Sequence, residues 1–142
     1  MQRLISVIAS TVIGALLSPS LVAAAKQPVV VIRRPTIVAF FTPVTQADLK
    51  NDPDTNEALA DFQFYAANVR KPLHDAGIDF QEIYALSFRV QRGTRTAIFR
   101  PGKVKVGYYF VAPGKKPRIE YGVITDTDLL EIAKEYFDLA GK

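Results

Sequence analysis

Six consecutive residues, Thr36-Ile37-Val38-Ala39-Phe40-Phe41, run without any alternation of polar and apolar side chains. Neighbouring side chains of a strand point to opposite faces, so a run of this kind needs cover on both sides. Val29–Ile32 is a shorter β-branched run of the same type, ended by Arg33-Arg34-Pro35, and Val106-Gly107-Tyr108-Tyr109-Phe110-Val111 is a further strong strand. Such strands call for a layered domain whose other elements supply the cover.

Helical spacing supplies candidates for that cover. Leu59, Phe62, Tyr65, Ala66, Val69, Leu73 and Ala76 recur at the period of one helix face. Asp54 followed by Glu57 suggests a capping box at its start, and Gly77 a C-terminal stop. Pro72 falls inside the pattern, where it removes a backbone donor, and predicts a kink. A second helix is expected after Thr125 and Asp128, with Leu129, Leu130, Ile132, Ala133, Tyr136 and Phe137 as its apolar face. Between the helices, Phe80–Ala85 reads as a strand, Arg89–Lys105 as a basic hairpin or long connection, Pro113–Pro117 as a turn, and Arg118–Val123 as a returning strand. Thr45–Thr55 reads as a loop with one short helical turn. The predicted class is α/β, with a central mixed sheet, one long kinked helix and a C-terminal helix.

This layout resembles the thioredoxin fold. The residues that carry the resemblance are Thr36–Pro43 as the central first strand, the helix through Val69-Arg70-Lys71-Pro72-Leu73-His74-Asp75, and the closing block from Val106 through Phe137. The resemblance covers roughly residues 28–140 and implies a thioredoxin-like sandwich. The family's redox motif would fall at Phe64-Tyr65-Ala66-Ala67, and the chain has no cysteine anywhere. Thiol catalysis, disulfide exchange and cysteine-ligated zinc are therefore excluded. The resemblance implies a scaffold without that activity and without a cofactor, and a scaffold alone assigns no function.

Residues 1–25 match a secretory signal peptide. Arg3 is the positive start, Leu4–Leu17 is mostly apolar, and Ala23-Ala24-Ala25 offers small residues for cleavage after Ala25. The apolar run is shorter than the ~20 residues that span a bilayer. The expectation is a periplasmic or secreted protein that does not span the membrane, with residues 26–142 as one domain.

Charge is strongly segregated along the chain. No acidic residue stands between Glu82 and Glu120, an interval with nine bases: Arg89, Arg92, Arg95, Arg100, Lys103, Lys105, Lys115, Lys116 and Arg118. Residues 48–82 hold eight acids against three bases, and residues 120–142 six against two, a pattern hidden by the net charge of +4. A cationic surface left unpaired attracts anions over about a Debye length, ~8 Å at physiological salt. Acidic helices packed beside the segment would instead neutralise it.

The candidate partner-binding residues are therefore Arg89, Arg92, Arg95, Arg100, Lys103 and Lys105, with Phe64 as an aromatic on the wrong side of the helix to join Phe62 and Tyr65. Arginine's planar fork suits phosphate and carboxylate. The expected partner is another protein or an anionic envelope component, and nucleic acid is disfavoured by export. The oligomeric state is left open.

Signals for chemistry are weak. His74 is the single histidine, beside the kink proline, and one histidine makes no zinc site without several carboxylates. Asp52, Asp54 and Asn56 imitate a calcium loop, but Glu57 stands where glycine is needed and Gln63 where the bidentate glutamate belongs. Ser87 is the only serine after the leader. No catalytic residue and no metal site is assigned. The leading expectation is an exported non-catalytic binding or adaptor module. The alternatives are an inhibitor or immunity-type protein that binds one enzyme and, behind it, an enzyme using carboxylates or His74.

Overall fold

The computed structural model describes residues 27–139. The predicted leader lies outside the described residues. Seven strands and three helices follow in the order β1 (Val29–Val31), β2 (Thr36–Phe41), α1 (Gln46–Asn51), α2 (Pro53–Asp75), β3 (Asp79–Tyr84), β4 (Phe88–Arg92), β5 (Arg95–Phe99), β6 (Val106–Ala112), β7 (Lys115–Tyr121) and α3 (Asp126–Tyr136). The strands form two mixed sheets, one ordered β3-β2-β6-β7 and the other β1-β4-β5. In the larger sheet β2 runs parallel to β3 and antiparallel to β6, and β6 pairs antiparallel with β7. The molecule is thus a mixed α/β domain.

The two apolar strands that the sequence marks as doubly covered are the two central strands, and every residue of both is buried. Ile37, Ala39 and Phe41 of β2, with Tyr108 and Phe110 of β6, point into a cluster with Phe62, Val69 and Leu73 of α2 and Leu129, Ala133 and Tyr136 of α3. Val38, Phe40, Tyr109 and Val111 point the other way, onto Val30, Phe88 and Val90 of the smaller sheet. The layers are therefore helices, sheet, sheet. One face is covered by helices and the other by strands, which the sequence reading did not foresee.

Local chemistry explains the helix ends. Thr45 and Asp48 form a reciprocal capping box at α1, so the predicted loop is largely helical. The cap of α2 is Asp52 rather than Asp54: its carboxylate accepts from the Thr55 N–H and hydroxyl, with Pro53 at the first helical position. Helix α2 continues through Pro72 into its final turn. It ends in a Schellman arrangement, in which Gly77 N–H donates to the His74 carbonyl, Ile78 N–H donates to the Leu73 carbonyl, and Gly77 takes φ +81°. Phe64-Tyr65-Ala66-Ala67 lies in the middle of α2, not at its start.

The Arg89–Lys105 segment resolves into a tight hairpin, β4 to β5. Gly93, with φ +61°, takes the first central position of its two-residue turn. The turn at Pro113–Pro117 is likewise shorter than expected: Pro113-Gly114 alone closes it, and Lys115 already opens β7. Val29–Ile32 is covered on one face rather than two, with Val30 buried and Val29 exposed.

Candidate anion-binding cleft

The β4–β5 turn and the β6–β7 turn face each other across an open cleft of about 550 Å³. Arg92, Gly93 and Arg95 line one side, Pro113 through Pro117 the other, and Ile32 is also at the lining. Its charged lining is entirely cationic: Arg92, Arg95, Lys115 and Lys116.

These four side chains are not equivalent. The Arg92 Nη1 donates to the Lys115 carbonyl at 3.1 Å and the Ala112 carbonyl at 3.5 Å. Two carbonyls thus fix the guanidinium on the β6–β7 turn while most of its five N–H donors remain unspent. Arg95 pairs with Arg92 across the hairpin register, so the two backbones are held as neighbours. Lys115 turns towards α3, donating to the Tyr136 carbonyl and pairing with Asp138 at 3.2 Å, with its ammonium 4.6 Å from the Tyr136 ring centre. Its charge is largely engaged there. Arg92, Arg95 and Lys116 have no acidic partner among the described residues.

The nine bases of the acid-free interval therefore divide. Lys105 lies 3.7 Å from Asp52 and donates to the Thr55 hydroxyl, at the start of α2. Arg118 bridges Glu120 and Glu135, and its hydrogen bonds to both raise its already high pKa. With Lys115, these are the bases that the helices and their neighbours neutralise. Arg89, Arg100 and Lys103 are exposed but stand apart from the cleft lining. Arg89 lies on the outer face of the small sheet, its Nε donating to Gln27.

Phe64 is 61% exposed, its ring edge-on to Tyr65, and it belongs to the helical layer, across the larger sheet from the hairpin. Of the seven predicted residues, the fold gathers two, Arg92 and Arg95, and adds Lys115 and Lys116. The sequence signal for those two was present: both follow Pro113-Gly114 within the same acid-free interval.

A second cavity, of about 660 Å³, lies beside the end of α2 and includes His74. Its charges are compensated: Lys71 and His74 contact Asp75, and Arg34 pairs with Asp79. The hydrogen bond from Lys71 holds the Asp75 carboxyl below its usual pKa. The contrast identifies the turn-to-turn cleft as the cationic site. Comparison of the chain with protein-family models, with curated proteins and with solved structures gives no match in any of the three.

Proposed function

We propose that this protein is an exported, non-catalytic binding module of thioredoxin-like topology that recognises an anionic partner through Arg92, Arg95 and Lys116. The observation that carries the reading is a cleft whose charged groups are all cations, three of them without an acidic partner among the described residues. One of the three, Arg92, is anchored by backbone carbonyls, so part of the ordering cost is met before binding. The cleft lining holds no carboxylate, histidine or hydroxyl side chain, so it offers charge and hydrogen-bond donors but no proton acceptor for acid–base chemistry. That favours binding over turnover.

The thioredoxin-like element of the reading is supported by connectivity. The central strand β2 is joined through α2 to its parallel neighbour β3, and the chain closes with the β6–β7 hairpin and the capped helix α3. Strands β4 and β5 of the small sheet lie between β3 and β6, and β1 precedes the central strand β2. Among the described residues no helix is long and apolar enough to cross a membrane. Export is supported by residues 1–25 alone, and mass spectrometry of the protein recovered from a bacterial envelope should find Lys26 as the first residue.

The test of the cleft is polyglutamate binding, followed by fluorescence anisotropy. Affinity should fall steeply as salt rises from about 10 to about 150 mM, because the contacts are screened. Arg95→Glu combined with Lys116→Glu changes two exposed side chains and should abolish binding. Lys50→Glu combined with Lys134→Glu alters net charge equally and should leave most of it. Equal loss in both double variants would mean that the protein attracts anions by net charge and not through this cleft.

A further inference from the structure

Strand β5 is the outer strand of the small sheet and pairs only with β4. The two-residue turn makes Arg92 and Arg95 the first hydrogen-bonded pair, and alternation then turns the backbone groups of Thr96 and Ile98 away from β4, onto the open edge. No turn, loop or cap hydrogen bond uses them among the described residues. Ile98 is 44% exposed, and Arg95 and Arg100 bracket this edge.

The other strand edges suit an added acidic strand less well. Pro117 interrupts the donors of β7, and β1 has three residues. At β3, Asp79 and Glu82 are already paired with Arg34 and Arg70.

We infer that the β5 edge accepts an extended acidic segment of another protein as an added strand. The backbone groups of Thr96 and Ile98 supply the ladder, an apolar side chain of the segment packs beside Ile98, and its carboxylates meet Arg95 and Arg100 at the two ends. Charge excludes the competing occupants. Antiparallel pairing of β5 with a second copy, centred on Ala97, sets Arg95 of each chain opposite Phe99 of the other and brings no carboxylate to any of the four arginines at its ends. Residues 1–26 and 140–142, which lie outside the described residues, contain no acidic residue.

This inference rests on the proposed cleft, because Arg95 belongs to both. It adds a backbone requirement that attraction between charges lacks.

The experiment uses the unaltered protein and two synthetic nine-residue peptides with two acidic residues at each end and an alternating Thr–Val centre. The second peptide is N-methylated at two alternate central residues on its pairing edge, which keeps the charge and removes ladder donors. Titration at about 10 mM salt, where the Debye length is about 30 Å, is followed by amide hydrogen exchange and NMR shifts. Strand addition predicts new protection at the Thr96 and Ile98 amides and at least about tenfold weaker binding of the methylated peptide. Equal binding of both peptides, with shifts at Arg92 and Arg95 but no protection at Thr96 and Ile98, overturns strand addition and leaves the cleft intact. Absence of binding by either peptide overturns both. Protection at Thr96 and Ile98 that grows with protein concentration in the absence of peptide would identify the occupant as a second copy and overturn the acidic partner.

Discussion

At Gly107 a single methyl group would meet two different obstacles. A Cβ there falls 2.6 Å from Cζ of Phe40 and 2.7 Å from the Glu120 carbonyl oxygen. Phe40 is fully buried and its Cζ lies on the ring's rotation axis, so only a shift of the whole side chain clears it, while the carbonyl belongs to β7, which pairs with β6 at this point. Gly107→Ala is expected to cost about 1–3 kcal/mol in urea unfolding. Adding Phe40→Leu should recover only part of the loss, and full recovery would show that the carbonyl is no barrier.

Tyr84 offers a second test at this scale. Its hydroxyl donates to Glu82 at 2.8 Å and accepts from Gln63 at 3.3 Å. Burial, opposed by the Gln63 hydrogen bond and aided by Glu82, pushes its pKa up to about 12. A folded pKa above the unfolded value of about 10 means that the phenol's stabilising contribution is complete below that pH and is lost as pH climbs to about 12. Tyr84→Phe should therefore flatten the fall of Tm across that range, and parallel curves for the two proteins would assign the titration elsewhere. Individual charges were the least legible feature of the sequence. Arg95 and Arg118 look alike in the same basic interval, yet Arg118 meets Glu135, seventeen residues away, and Arg95 meets no acid among the described residues. Only the fold decides which acids return to which bases.

Elements with strong local signals were read correctly, and those stabilised from elsewhere were not. The stop of α2 is written in Gly77, because the left-handed conformation it adopts costs other residues about 1–2 kcal/mol. Gly77→Ala should lower the urea midpoint accordingly, and Gly77→Asn should lower it less, since asparagine tolerates that conformation better. A variant as stable as the parent would show that the left-handed conformation at this position carries no penalty for a side chain. The sequence shows no more than one helical turn where α1 lies, because the helix is six residues long and buries no side chain, so it has no apolar period to detect. The start of α2 was misplaced by two residues because Asp52 and Asp54 offer the same chemistry on either side of Pro53. Strand β5 has four exposed residues in five and hence no alternation to read, so the second sheet emerged only from its pairing with β4 and β1. The cleft inherited this blindness. Its cations were visible in sequence, but the approach of two turns that gathers them depends on the second sheet.

For the molecule as a whole, the decisive fact is that both faces of β2 and β6 are buried by different layers. Helices α2 and α3 cannot keep their sheet if the small sheet leaves, because Val38, Phe40, Tyr109 and Val111 would then face water. The two apolar clusters share a backbone and should melt together. Phe88 tests this from the far side: it is fully buried, lies against Phe40, Phe99 and Tyr109, and belongs to the cluster without helices. Phe88→Ala is expected to cost about 3–5 kcal/mol and to lower Tm by more than ~10 °C. The far-ultraviolet signal of helices that Phe88 never touches should shift by the same amount as the near-ultraviolet signal of the tyrosines, with one transition in each. Tyr109 is the tyrosine of that cluster, so an early loss of the part of the near-ultraviolet signal that Tyr109→Phe removes, with the helical signal unmoved, would mean that the small sheet is a detachable layer. In that case Arg92 and Arg95 would be presented by an independently melting hairpin, and polyglutamate affinity would fall with temperature well before the helices unfold. With a single shared transition, the cleft should keep its affinity up to the global Tm, because the carbonyls that hold Arg92 belong to the same β6–β7 unit that forms one half of the core.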